Sequence, residues 1–167
     1  MLKYVDTLVS FQEVPDEISL CINISNCPNS CIGCHSPWLK QDTGTVLDST
    51  ELHRLINSNK GITCVSFMGG DSEPEIVNFL ASEVKKLNLK TAWYSGFPEI
   101  SDKIELRNFD FIKIGPYLES LGGLDNLYTN QIMYEVCRIS KLPEKFILND
   151  ITNKFWKNDR TEKESTC

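Results

Sequence analysis

At 167 residues the chain is long enough for one domain with a real core and short for two. Its 23 Asp and Glu against 17 Lys and Arg leave a formal charge of −6, which argues against a broad nucleic-acid surface, because neutralising phosphates needs clustered cations. No apolar run approaches the length of a membrane span, the N-terminus lacks a signal peptide's basic start and apolar middle, and an odd count of seven cysteines reads as metal ligands or buried thiols, so a cytoplasmic chain is expected.

Residues 18–25 alternate apolar and small polar side chains and predict a strand that delivers the chain to Cys27. Behind the N-cap candidates Asp48, Ser49 and Thr50, the face Leu52, Leu55, Ile56 predicts a helix ending near Gly61. A strand over residues 62–67 breaks at Gly69-Gly70. A helix opens beside Pro74 and carries Ile76, Phe79, Leu80, Val84 and Leu87. Strands follow at residues 91–95 and 109–114, each stopped by glycine and proline, with one more over residues 145–148. Alternating strand and helix implies right-handed crossovers: an α/β fold, a single-domain partial (β/α) barrel with a mainly parallel sheet over residues 1–157. Residues 158–167 read as a polar, mobile tail.

The densest chemistry is Cys27-Pro-Asn-Ser-Cys31-Ile-Gly-Cys34, three thiols at C-x3-C-x2-C spacing with no fourth cysteine close downstream. Three thiolates on one loop suit an iron–sulfur cubane with one iron left open to bind a small molecule. In a parallel sheet, loops at the carboxyl ends of strands carry the reactive groups, and both the cysteine loop and Gly69-Gly70-Asp71 fall there. A glycine pair is most simply a tight turn. Beside a metal loop it also lets backbone approach a ligand, with Asp71 placed to accept from a ligand ammonium. The same cysteines could hold zinc with His35 or Cys21 as fourth ligand, although adjacent Cys34 and His35 ill suit two corners of one tetrahedron. An electron carrier would need Cys64 or Cys137 as a fourth ligand. Cys21, Cys64 and Cys137 sit among apolar neighbours and read as core.

Cysteine spacing after a first strand and Gly-Gly-Asp after a second resemble the radical S-adenosylmethionine superfamily. Within it, Cys31-Ile-Gly-Cys34-His-Ser-Pro37, Met68-Gly-Gly-Asp71, Trp93-Tyr-Ser-Gly96, Ile114-Gly-Pro-Tyr117 and Thr129-Asn-Gln131 look like the activating proteins of anaerobic ribonucleoside-triphosphate reductases. The resemblance implies that Cys27, Cys31 and Cys34 ligate a [4Fe-4S] cluster whose fourth iron chelates S-adenosylmethionine. It implies that Gly69, Gly70 and Asp71 hold the methionine end, and that Gly33, Cys34 and His35 contact the cofactor mainly through backbone. The implied reaction takes an electron from reduced flavodoxin or a similar donor, cleaves the sulfonium to a 5′-deoxyadenosyl radical, and generates a glycyl radical on the large reductase.

Size supports a protein substrate independently. A chain this short winds only part of a barrel, whose full form takes about 200 residues or more, so the site is expected to be open and to need a docked polypeptide as cover. Two alternatives stand beside this expectation: a radical enzyme acting on a small metabolite, which would need a substrate pocket of its own, and a non-enzymatic zinc or electron-transfer module.

Overall fold

The computed structural model describes residues 1–141 and 144–156. In chain order these form strand β1 (Lys3–Ser10), β2 (Ser19–Ile24), β3 (Thr45–Val46), helix α1 (Ser49–Ser58), β4 (Cys64–Met68), α2 (Pro74–Lys86), β5 (Lys90–Tyr94), β6 (Phe111–Ile114), β7 (Ile132–Lys141) and β8 (Glu144–Asp150). The tail expected over residues 158–167 lies outside the described residues.

The strands make one sheet in the order β3-β1-β2-β4-β5-β6-β7-β8. The mainly parallel sheet expected from the sequence needs correction. Only the central run β2-β4-β5-β6 is parallel, and the four remaining neighbour pairs are antiparallel. The cause is connection length. Parallel neighbours need a crossover, which carries α1 between β2 and β4, α2 between β4 and β5, and no α-helix between β5 and β6, whereas β1 turns back onto β2 and β7 onto β8 through short links that permit only antiparallel pairing. The fold is thus mixed α/β.

Both helices cover one face of the sheet. Leu20, Ile22 and Ile24 of β2, Val65 and Phe67 of β4, Trp93 of β5 and Ile112 of β6 point there, against Leu52 and Leu55 of α1 and Val77, Leu80 and Val84 of α2. Residues at the alternate positions, Cys64, Ala92, Phe111 and Met133, turn to the other face, where connecting segments cover them with Val14, Leu124 and Ile151. Burial on both faces explains why these strands read as near-continuous apolar runs.

Asp48 caps α1, its Oδ1 accepting from Glu51 N at 2.9 Å. In α2, Pro74 sits in the first turn and Lys85 and Lys86 in the last, as the helix dipole favours. The buried stripe of α2 is Val77, Leu80, Ala81 and Val84, an i, i+3, i+4, i+7 set. Phe79 and Leu87, which the sequence placed among the helix's apolar residues, are exposed, Phe79 because it lies off that stripe and Leu87 because it is the C-cap, just past the end of the helix. Among the described residues no helix is long and apolar enough to cross a membrane.

Candidate metal and cofactor site

The cysteine loop leaves the carboxyl end of β2 and is pinned at its base. Ser25 N donates to Lys3 O (3.0 Å), Asn26 N to Gln41 O (3.1 Å) and Cys27 N to Leu39 O (2.9 Å). Cys27, Cys31 and Cys34 follow as free, part-buried thiols. Burial pushes the Cys27 thiol up from its ordinary value, and the negative fields of Asp71 and Cys31 add to this, while the backbone and side-chain N–H groups of Asn29 act against it. Cys34 Sγ accepts from Ser36 N at 3.4 Å. The exposed His35 ring packs on Tyr117 with centroids 4.4 Å apart, and Gly33 lies against the Glu119 side chain.

Gly69-Gly70-Asp71 stands beside this loop, at the end of the next strand. Both glycines have positive φ, 102° and 91°. At Gly70 a Cβ would also come within 2.5 Å of Val77 Cγ2, so the turn demands glycine on two grounds. Asp71 is buried, and its carboxylate faces inward. Oδ1 accepts from Ser95 Oγ (2.6 Å), and Oδ2 accepts from Gly96 N (2.9 Å) and Asn29 Nδ2 (3.3 Å). A ligand ammonium would therefore meet a carboxylate already engaged by three protein donors, with limited capacity remaining.

Strand register adds a residue that sequence reasoning missed. Asn23, Met68, Tyr94, Lys113 and Met133 are partners across five adjacent strands, a row on the face away from the helices and near the cysteine loop. Lys113 is 7% exposed and donates to Gly115 O (2.7 Å) and Ser95 O (3.4 Å). Burial pushes its ammonium down to about 8, while the negative charges of Asp71 and Cys31 pull the other way. One cation inside the apolar stretch Phe111-Ile-Lys-Ile114 was the available signal. Asn29 was also missed, although its place between two cysteines pointed to it.

Residues 29–32 and 116–120 line an open groove of about 540 Å³, and a second cleft of about 500 Å³ runs from Asp71 and Trp93 to Ser101 and Asp102. Ile32 (83% exposed) stands on the first groove and Phe97 on the second.

Among the described residues no three His, Cys, Asp or Glu side chains converge as a ready-made metal cage, so the three cysteines share a loop without their sulfurs being gathered. Cys21, weighed as a zinc ligand, is buried within β2 with its thiol pushed up to about 12, first by burial and then by the charge of Glu13. The donor set still fits an iron–sulfur group: three free, part-buried thiols lie within eight residues, on a segment without strand or α-helix that can close around it. Comparison with protein-family models, curated proteins and solved structures finds no match to this chain, so the reading of the site rests on its own residues.

Proposed function

We propose that the chain is an iron–sulfur activating enzyme of the radical S-adenosylmethionine kind, acting on an anaerobic ribonucleoside-triphosphate reductase. The observation that carries this reading is the meeting of two motifs: the Cys27–Cys34 loop and the Gly69-Gly70-Asp71 turn stand at neighbouring strand ends, joined by the Asn29–Asp71 hydrogen bond. The parallel run β2-β4-β5-β6, which brings the carboxyl ends of four strands to one edge of the sheet, supports the reading.

In this reading Cys27, Cys31 and Cys34 ligate a [4Fe-4S] cluster, with Gly33, Cys34 and His35 beside the cofactor. The bound group supplies one-electron cleavage of S-adenosylmethionine to a 5′-deoxyadenosyl radical, which leads to a glycyl radical on the reductase, with reduced flavodoxin or a similar protein as electron donor. Gly69 and Gly70 offer backbone to the methionine end without a side chain in the way. Asp71 adds negative charge there, and Lys113 offsets the charge of the carboxylate and thiolates. Exposed Ile32, Phe97 and Leu118 give the rim an apolar character suited to a docked polypeptide that excludes water.

Anaerobic reconstitution is expected to load about four iron per chain and to give reductant-dependent 5′-deoxyadenosine. Electron paramagnetic resonance with the reductase is expected to show a glycyl radical. A loaded, reduced sample that cleaves no S-adenosylmethionine overturns the reading. The groove of about 540 Å³ beside Cys31 supports a second reading, a radical enzyme acting on a small metabolite, because ligand pockets commonly span about 300–1,000 Å³. Cofactor cleavage without a reductase complex or glycyl radical selects that alternative.

A further inference from the structure

Among the described residues, residues 28–35, the part of the loop that carries Cys31 and Cys34, form only a local turn at Ile32-Gly33 and make no backbone–backbone hydrogen bond to the rest of the fold. Besides the packing of the His35 ring on Tyr117, one side-chain hydrogen bond ties this segment to the body of the fold. Asn29 Nδ2 donates to Asp71 Oδ2 (3.3 Å), and Asp71 is fixed in turn by Gly96 N (2.9 Å) and Ser95 Oγ (2.6 Å) from the segment after β5. Lys113 continues the line by donating to Ser95 O and Gly115 O. Hydrogen bonds therefore run from the cysteine loop across the ends of β4, β5 and β6.

Gly96 shows how closely the parts fit. A Cβ there would lie 2.3 Å from Asn29 Nδ2 and 2.9 Å from its Cγ, inside any real contact distance. The Asn29 amide occupies the space a side chain at position 96 would fill, so a side chain there would push the amide away from Asp71.

We propose that Asn29 is a positioning residue, a latch that holds the cysteine loop through Asp71 and so sets where Cys27 and Cys31 stand relative to the Gly69-Gly70-Asp71 turn. In its claim about a metal-bearing loop this rests on the function proposed above; the latch itself needs no metal. A fixed loop spares the site the ordering of several residues when ligands close on a bound group.

The test uses the metal-free full chain and the anaerobically reconstituted chain, as wild type, Asn29→Ala, Gly96→Ala and the double variant. In the metal-free protein, backbone 15N order parameters of Ser30, Cys31, Ile32 and Gly33 are expected near the rigid value of about 0.85 in wild type and below about 0.6 in either single variant. The double variant is expected to match Asn29→Ala, because Gly96→Ala acts only by expelling the Asn29 amide. In the reconstituted protein, Asn29→Ala is expected to change the cluster's midpoint potential, because the loop that carries its ligands loses its tie to Asp71. A wild-type loop already below about 0.6, a loop unchanged in Asn29→Ala, or a Gly96→Ala effect that persists without Asn29 each overturns the latch. Wild-type chain that takes up no iron overturns the proposed function instead, and the relaxation data alone then decide the latch.

Discussion

Trp93 donates its indole N–H to the carbonyl of Gly69 at 2.9 Å, while the N–H of Gly69 donates to Tyr94 O at 3.0 Å, so the turn after β4 is stitched to β5 at two points. Trp93 is only 1% exposed, so the indole is packed firmly against this carbonyl. Trp93→Phe keeps most of the packing and leaves a carbonyl short of its partner. We expect a loss of roughly 1–3 kcal/mol in urea unfolding. A loss below about 0.5 kcal/mol would show that the stitch carries little.

The cysteines are expected to divide by position. Alanine at Cys27, Cys31 or Cys34 should abolish iron uptake and cofactor cleavage while changing unfolding by less than about 1 kcal/mol, because these loop side chains are not in the core. Alanine at Cys21 or Cys64, which are 1% and 0% exposed, should lower stability by about 1–2 kcal/mol and leave iron uptake intact. Iron retained in a loop-cysteine variant, or lost in a core one, would show the ligand assignment to be wrong.

Lys113 predicts a pH dependence of stability. Its folded pKa, about 8, is depressed below the ordinary lysine value of 10.5, so between these limits the unfolded chain binds more protons and rising pH favours folding through this group. The buried thiols act in the opposite sense. Burial raises Cys64 above its ordinary value and Cys21 to about 12, so their contribution is complete below the unfolded thiol value and is lost as pH rises above it. Comparing Lys113→Met with wild type isolates the lysine. From pH 8 to 10.5 the difference in unfolding free energy should move in favour of wild type by roughly 3 kcal/mol. A pH-independent difference would mean that the ammonium is solvated.

At the opposite end of the sheet, Glu17 is 8% exposed and accepts from Lys90 Nζ and Thr63 Oγ1, each at 2.5 Å. Thr63 Oγ1 accepts in turn from Ile18 N at 2.9 Å, so the carboxylate helps align the entry to β2. Glu17→Ala should cost roughly 1–3 kcal/mol by thermal or urea unfolding. Because the cluster is remote from the cysteine loop, iron uptake per folded chain should be unchanged. Lost uptake in well-folded variant protein would contradict that separation.

Of the elements that announced themselves, β2, β4, β5, β6, α1 and α2 have an apolar periodicity that reports burial directly, while β8, expected over residues 145–148, forms with none of its residues buried. β1 and β7 went unannounced: each mixes buried and exposed residues irregularly, so no apolar period marks it, and its strand form shows only in its pairing with neighbouring strands. The same holds within the site. Cys27, Cys31, Cys34 and Gly69-Gly70-Asp71 were legible because their spacing is local. Asn29 and Lys113 acquire meaning only beside Asp71, Ser95 and Gly115, residues no local pattern associates with them.

Local covalent order alone decides that three thiols share one short loop, that glycines occupy the turn after β4, and that each core strand alternates its side chains, since these follow from spacing and backbone stereochemistry. Tertiary structure decides that the parallel run is flanked by antiparallel strands, that the Asp71 carboxylate turns inward, and that a buried lysine stands near the cysteine loop. Register between distant strands places those groups, and register is a property of the assembled sheet.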